Sequence, residues 1–199
     1  MTKTIRNLIN ENQDSHIAIT SDNNEKITFE ALKKHIYDIS GQLAAHGISN
    51  QDRAVIVLPN GPEMATAFLA ISSYMSAAPL NPSYKLSEYE FYLEDLKPKI
   101  VIVEKGSTNT VVEAAKKLNI ELCEIKQIQG EPKGIFNLYN SFSSFEISGE
   151  EDEALVLHTS GTTSRPKVVP LTNKNIFSSA FNISKSLKLT PEDHCYNVM

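Results

Sequence analysis

The sequence predicts an α/β fold, a doubly wound and mostly parallel sheet with flanking helices, and three observations carry that expectation. Ala54–Leu58 and Lys99–Val103 are apolar runs of strand length, the pattern of strands covered on both faces. Strand-like and helix-like stretches alternate three times between residues 54 and 124, which is the rhythm of a sheet built from parallel crossovers. Residues that start and stop helices punctuate this alternation, among them Thr28, Gly47, Pro62 and Pro98.

Taken in order, residues 4–11 form a short helix, and the strand His16–Thr20, the turn Asp22–Glu25 and the strand Lys26–Phe29 form a hairpin. Leu32, Ile36, Ile39 and Leu43 recur at helical spacing, so residues 29–46 make an amphipathic helix with Thr28 as N-cap and Gly47 as C-cap. The strand 54–58 stops at Pro59-Asn60-Gly61, and Pro62 opens a helix to Ser76. Ala77–Pro82 holds a short strand ended by proline. Ser87 and Glu90 have the spacing of a capping box for a helix that reaches Leu96, before Pro98. Strand 99–103 leads to a helix capped by Ser107 and ending near Leu118, and Ile120–Glu124 is again a strand. The rhythm breaks at 126–152, where Gly130, Pro132, Gly134 and a Ser-rich patch at 141–148 read as a surface excursion with one short strand and no site. Beyond it, 155–157 is a buried strand, Val168–Leu171 is extended, and Thr172 caps a helix from Asn173 to Leu187. His194–Met199 reads as a strand that the sequence leaves short. The domain expectation is therefore an α/β unit at 1–125, an excursion at 126–152, and a loop, helix and truncated strand at 153–199.

With 199 residues, 41% of them hydrophobic and 22% charged, the composition is that of an ordinary globular protein. The net charge of −5 argues against a nucleic-acid partner, because affinity for a polyanion needs clustered Lys and Arg. Cys123 and Cys195 lie far apart and the five histidines are scattered, so no metal-ligand spacing is present. No apolar stretch has the length of a membrane span or a signal peptide, and a cytoplasmic location with no membrane partner is expected.

The segment between the strand at 155–157 and Val168 carries the chemistry. It holds Thr159, Ser160, Thr162, Thr163 and Ser164, with Gly161 and the cations Arg165 and Lys167. Gly161 permits close backbone approach, hydroxyls and amide groups can converge on an anion, and Lys167 adds charge, so phosphate is the natural guest. A solvated Ser/Thr turn is the plainer alternative. A Walker loop is not: Pro166 precedes Lys167, and Val168-Val169-Pro170 cannot open the helix that such a loop requires.

Residues 159–167 resemble the phosphate-binding signature of the adenylate-forming, or AMP-binding, superfamily, Thr-Ser-Gly-Thr-Thr-Gly-x-Pro-Lys-Gly, with Ser164 and Val168 in place of two glycines. Leu58–Glu63, Ala78–Tyr84, Glu90–Asp95 and Leu157–Ser160 look like the peroxisomal-type, oxalate–CoA ligase branch of the acyl-CoA synthetases, in which serine is common at the position of Ser164. The resemblance implies the first part of the family's large N-terminal domain. By the same resemblance Thr159, Ser160, Gly161, Thr162, Thr163 and Ser164 would hold the nucleotide's phosphates, and Lys167, the catalytic candidate, would supply charge. ATP with Mg2+, a small carboxylate and CoA would be the substrates and cofactors of the complete enzyme. The family's aromatic, Tyr-Gly-x-Thr-Glu, ribose-binding and C-terminal lysine motifs are absent, so an N-terminal fragment of an acid–CoA ligase, inactive alone, is expected. The alternatives are a non-catalytic binding module and one half of a split ligase that pairs with a complementing C-terminal chain. Arg165 and His158 are read as a solvated neighbour and a strand residue, and Asn60 and Asn81 as turn residues.

Overall fold

The computed structural model describes residues 2–159 and 166–195. Helix α1 (Ile5–Asn10) is capped by the Thr4 hydroxyl, which accepts from the Asn7 amide. Strands β1 (Ile17–Thr20) and β2 (Lys26–Thr28) pair as the expected antiparallel hairpin. In α2 (Phe29–Ala45) the Thr28 hydroxyl accepts from the Ala31 amide. The helix closes on a Schellman turn: Gly47 takes φ +70° and donates to the Ala44 carbonyl, and the Ile48 amide donates to Leu43. Gly47 thus stops the helix from one position beyond the cap residue, His46.

The next elements build the sheet. They are β3 (Arg53–Val57), α3 (Pro62–Ser72), β4 (Ser76–Pro79), α4 (Leu86–Leu96), β5 (Ile100–Val103), α5 (Thr110–Lys117) and β6 (Glu121–Glu124). After the small pair β7 (Lys126–Gln127) and β8 (Phe136–Asn137) come β9 (Glu153–Thr159), β10 (Lys167–Thr172) and α6 (Asn173–Leu187). Strand order in the main sheet is β10-β9-β4-β3-β5-β6; all neighbours are parallel except β9 and β10. The doubly wound architecture follows from alternate side chains of the central strands. Ala54, Ile56, Ile100 and Ile102 pack under α2 and α3, whereas Val55, Val57, Val101 and Val103 pack under α4 and α5.

Several boundaries move for identifiable reasons. Helix α3 ends at Ser72 rather than Ser76, because residues 73–75 turn straight into β4 and the Tyr74 hydroxyl is pinned to the Ile48 carbonyl at 2.8 Å. Helix α4 begins two residues early: Glu88, not Glu90, accepts from the Lys85 amide at 2.8 Å. The rings of Tyr84 and Tyr89 meet across that turn as a hydrophobic staple, and Glu90 instead pairs with Lys117. Asn109 rather than Ser107 caps α5, its side-chain oxygen accepting from the Val111 amide. Residues 126–152 are more than a surface excursion, and they hold two short strands rather than one. Ile135, Phe136 and Leu138 enter the core under α2, and the Gly134 backbone passes so close to Ile27 and Pro62 that a Cβ there would meet them at 3.1 Å. His194 and Cys195 carry no strand, and the remainder of the strand expected at 194–199 lies outside the described residues.

Candidate functional site

Strand β9 runs between β4 and β10, and its carboxyl end carries Thr159. The chain leaves there and returns as β10 in antiparallel register, with Lys167 directly opposite Thr159, Val168 opposite His158 and Val169 opposite Leu157. Residues directly opposite in such a ladder project to the same face. Thr159 and Lys167 are therefore brought together, both exposed, on one face of the hairpin where the connecting loop departs. Among the described residues no carboxylate pairs with Lys167. The other predicted phosphate ligands, Ser160, Gly161, Thr162, Thr163 and Ser164, lie outside the described residues, as does Arg165. What the structure places is the two ends of the loop, a hydroxyl and an ammonium group side by side.

The sequence folds this way locally because Val156, His158 and Val168 share the opposite face and pack toward α4. His158 is held there by Asp95, whose carboxylate lies 2.9 Å from Nε2, and by the Tyr92 ring, with centroids 4.6 Å apart. Only 7% of its side chain is exposed, and it points away from the face of Thr159 and Lys167. It fixes the end of β9 against α4. Neither Asp95 nor Tyr92 was legible as its partner, since 63 residues separate Asp95 from His158 and no spacing rule spans that distance. Asn81 is a turn residue, its side chain accepting from the Ser83 amide and its carbonyl from the Tyr89 hydroxyl. Asn60 is exposed just after β3.

Hollows elsewhere on the surface do not compete with this hairpin. One of about 440 Å³ is lined by Gln42, Asn137 and Tyr139, whose polar atoms already bond to each other or to neighbours. Another, of about 350 Å³, lies at the amino ends of the strands, where Arg53 and Glu153 neutralise each other. Among the described residues no group of three or more His, Cys, Asp or Glu side chains is placed to hold a metal ion. Burial pushes the Cys123 thiol up to about 11, which keeps it protonated and unreactive.

The AMP-binding enzyme family matches residues 8–199. The chain belongs to that family. Oxalate–CoA ligase of Saccharomyces cerevisiae is 34% identical over 179 residues, which are 76% of this chain and 33% of the relative. Oxalate–CoA ligase of Arabidopsis thaliana is 39% identical over 153 residues, 74% of this chain and 30% of the relative. The chain thus spans about a third of the length of the curated relatives it matches. Among solved structures, apo MatB from Rhodopseudomonas palustris superposes with a TM-score of 0.80 at 24% identity, over 97% of this chain and 39% of that one. MenE of Bacillus subtilis, in complex with ATP and magnesium, superposes with a TM-score of 0.73 at 22% identity, over 94% of this chain and 47% of that one. These likenesses agree with the α/β sheet and flanking helices described above.

Proposed function

We propose that this AMP-binding chain is the N-terminal, phosphate-holding part of an ATP-dependent acid–CoA ligase, and that the β9–β10 hairpin is its nucleotide-phosphate site. The observation that carries the reading is Thr159 facing Lys167 across the ladder, at the two ends of a segment whose sequence supplies Ser160, Gly161, Thr162, Thr163 and Ser164. In such a ligase a carboxylate is adenylated and then passed to the thiol of CoA, so two anions must approach each other. This donor set fits the anionic half of that problem. Hydroxyls and loop amides would hold the phosphates, and the Lys167 ammonium would offset their charge as it builds on the leaving pyrophosphate. Magnesium carried in with the nucleotide would add further charge neutralisation. The substrates are a small carboxylate, oxalate being suggested by the two ligases, together with ATP and CoA. The chain works in the cytoplasm as one portion of the enzyme, with the 126–152 segment lying between its α/β unit and its phosphate hairpin.

Catalysis by residues 1–199 alone is not expected. Thermal unfolding with and without Mg-ATP tests the phosphate site directly. Nucleotide raises the midpoint of the chain by several degrees at a concentration far above Kd, and Lys167→Ala removes most of that shift while leaving the midpoint without nucleotide unchanged. A midpoint indifferent to Mg-ATP would refute the site. A second reading, a binding module that holds nucleotide without chemistry, is favoured by the chain's spanning a third of its relatives. It predicts the same shift with no acid-dependent turnover even when the rest of the enzyme is supplied.

A further inference from the structure

Among the described residues, β9 is in register with β4 at the single pair Ala77–Leu155. Thr159 lies four residues farther on, about 13 Å along an extended strand. Lys167 is carried by β10, which has β9 as its one neighbour in the sheet. The pair Thr159–Lys167 thus closes an outlying ladder, the kind of end that frays unless a side chain ties it down. The tie is one pair back. His158, opposite Val168, directs its imidazole at α4, where Asp95 Oδ2 lies 2.9 Å from Nε2. A carboxylate oxygen accepts, so Nε2 is the donor. Tyr92, three residues before Asp95 and so on the same face of α4, sets its ring across the imidazole, with centroids 4.6 Å apart and planes at 64°. It is in turn stacked on Tyr84, ahead of the helix, at 5.1 Å. Asp95 does not serve the packing of α4: the helix buries Tyr89, Leu93 and Leu96, whereas Asp95 is 39% exposed. The neighbours of His158 on its own face, Val156 and Val168, are apolar. An aliphatic side chain at 158 would fill the same space. What the imidazole adds is direction, because a hydrogen bond fixes where the strand end sits and apolar contact does not.

We propose that Asp95, acting through His158, is a positioning residue for the phosphate hairpin: the pair clamps the end of β9 to α4 and so holds Thr159 and Lys167 in one place. His158 faces α4, on the opposite side of the hairpin from Thr159 and Lys167, so it acts on a phosphate through the strand alone. Ligand-holding groups fixed in advance by supporting contacts bind more tightly than the same groups free to swing, since the cost of ordering them is met before the ligand arrives. The nucleotide half of this inference rests on the phosphate-site reading proposed above; the clamp itself does not.

Amide hydrogen exchange of the nucleotide-free chain and calorimetric titration with Mg-ATP test the two halves separately. Asp95→Ala leaves the imidazole unpaired; exchange over residues 155–172 rises relative to that over 100–103, and Mg-ATP binding weakens about tenfold. Asp95→Asn keeps an acceptor for the Nε2 proton and restores most of both. His158→Leu fills the space without the bond. Its thermal midpoint stays at or above that of the wild type, yet its nucleotide affinity falls as in Asp95→Ala, a split that a purely packing role does not produce. Val111→Ala, in the buried core under α5, lowers the midpoint and leaves the affinity unchanged. Unchanged exchange in Asp95→Ala, or wild-type affinity in either Asp95→Ala or His158→Leu, would overturn the proposal. So would an affinity loss in Val111→Ala as large as that in Asp95→Ala, because binding would then follow overall stability. A wild-type chain that fails to bind Mg-ATP defeats the phosphate reading instead, and the exchange comparison then decides the clamp by itself.

Discussion

His35 illustrates what burial does to one residue. It lies on α2 with its ring edge against Phe136 of β8, centroids 4.6 Å apart, and is 3% exposed. Its Nε2 has no hydrogen-bond partner among the described residues. Burial, opposed by Asp38 and reinforced by Lys34, lowers its pKa from 6.5 to about 4. The unfolded chain therefore binds a proton between those values that the folded chain refuses. The stability contributed by neutral His35 is complete above pH 6.5 and is lost as pH falls toward 4, amounting to up to about 3 kcal/mol. Urea unfolding at pH 7 and pH 4.5 checks this: His35→Leu should remove most of the difference between the two. The sequence offered no sign of it, because the residue that buries His35 arrives about a hundred positions later. Thr159 and Lys167, by contrast, were singled out as candidates from nine consecutive residues, and the ladder sets them opposite each other.

At the scale of elements, the same distance problem explains the 126–152 segment. Its glycines, prolines and serines have the composition of a loop, yet Gln42 of α2 stitches it down. The buried amide donates to the Asn137 side chain at 2.8 Å and accepts from the amides of Leu138 and Tyr139 at 2.8 and 2.9 Å. Gln42→Leu leaves two backbone donors without a partner, and a loss of about 3 kcal/mol is expected. Hydrogen exchange at the Leu138 amide should rise in step with the fall in stability, and an unchanged rate would mean that the contact carries no weight. Helix limits were legible to within a few residues because caps are local: Thr28, Pro62 and Thr172 act where expected. They failed at α4 and α5, where several residues of capping type lie close together. There the choice fell to tertiary contacts, the Tyr84–Tyr89 staple and the bond from the Asn109 side-chain nitrogen to the Pro82 carbonyl.

For the whole molecule, the decisive junction is between the α/β unit and the β9–β10 hairpin. The ladder between β4 and β9 is brief, with Ala77 opposite Leu155. Arg53 of β3 supplements it by reaching past β4 to grip Glu153 through two bonds of 2.7 and 2.9 Å. Burial raises the pKa of Glu153, but the hydrogen bonds and charge of Arg53 outweigh it and hold the carboxyl below its ordinary range. The pair's contribution is therefore present above the usual glutamate pKa and lost as pH falls through the depressed one, a more acidic window than that of His35. Glu153→Gln should cost about 2 kcal/mol at neutral pH and speed amide exchange in β9 and β10 more than in β5. Equal acceleration in both would show that the hairpin is held by something else. The strand and helix alternation, the apolar runs and the segment 159–167 determined the α/β class and the family, because each is encoded in neighbouring residues. Tertiary structure alone decided that Thr159 faces Lys167, that His158 turns away to Asp95 and that 126–152 enters the core. These depend on strand register and on contacts between residues far apart in the chain, which no local pattern specifies.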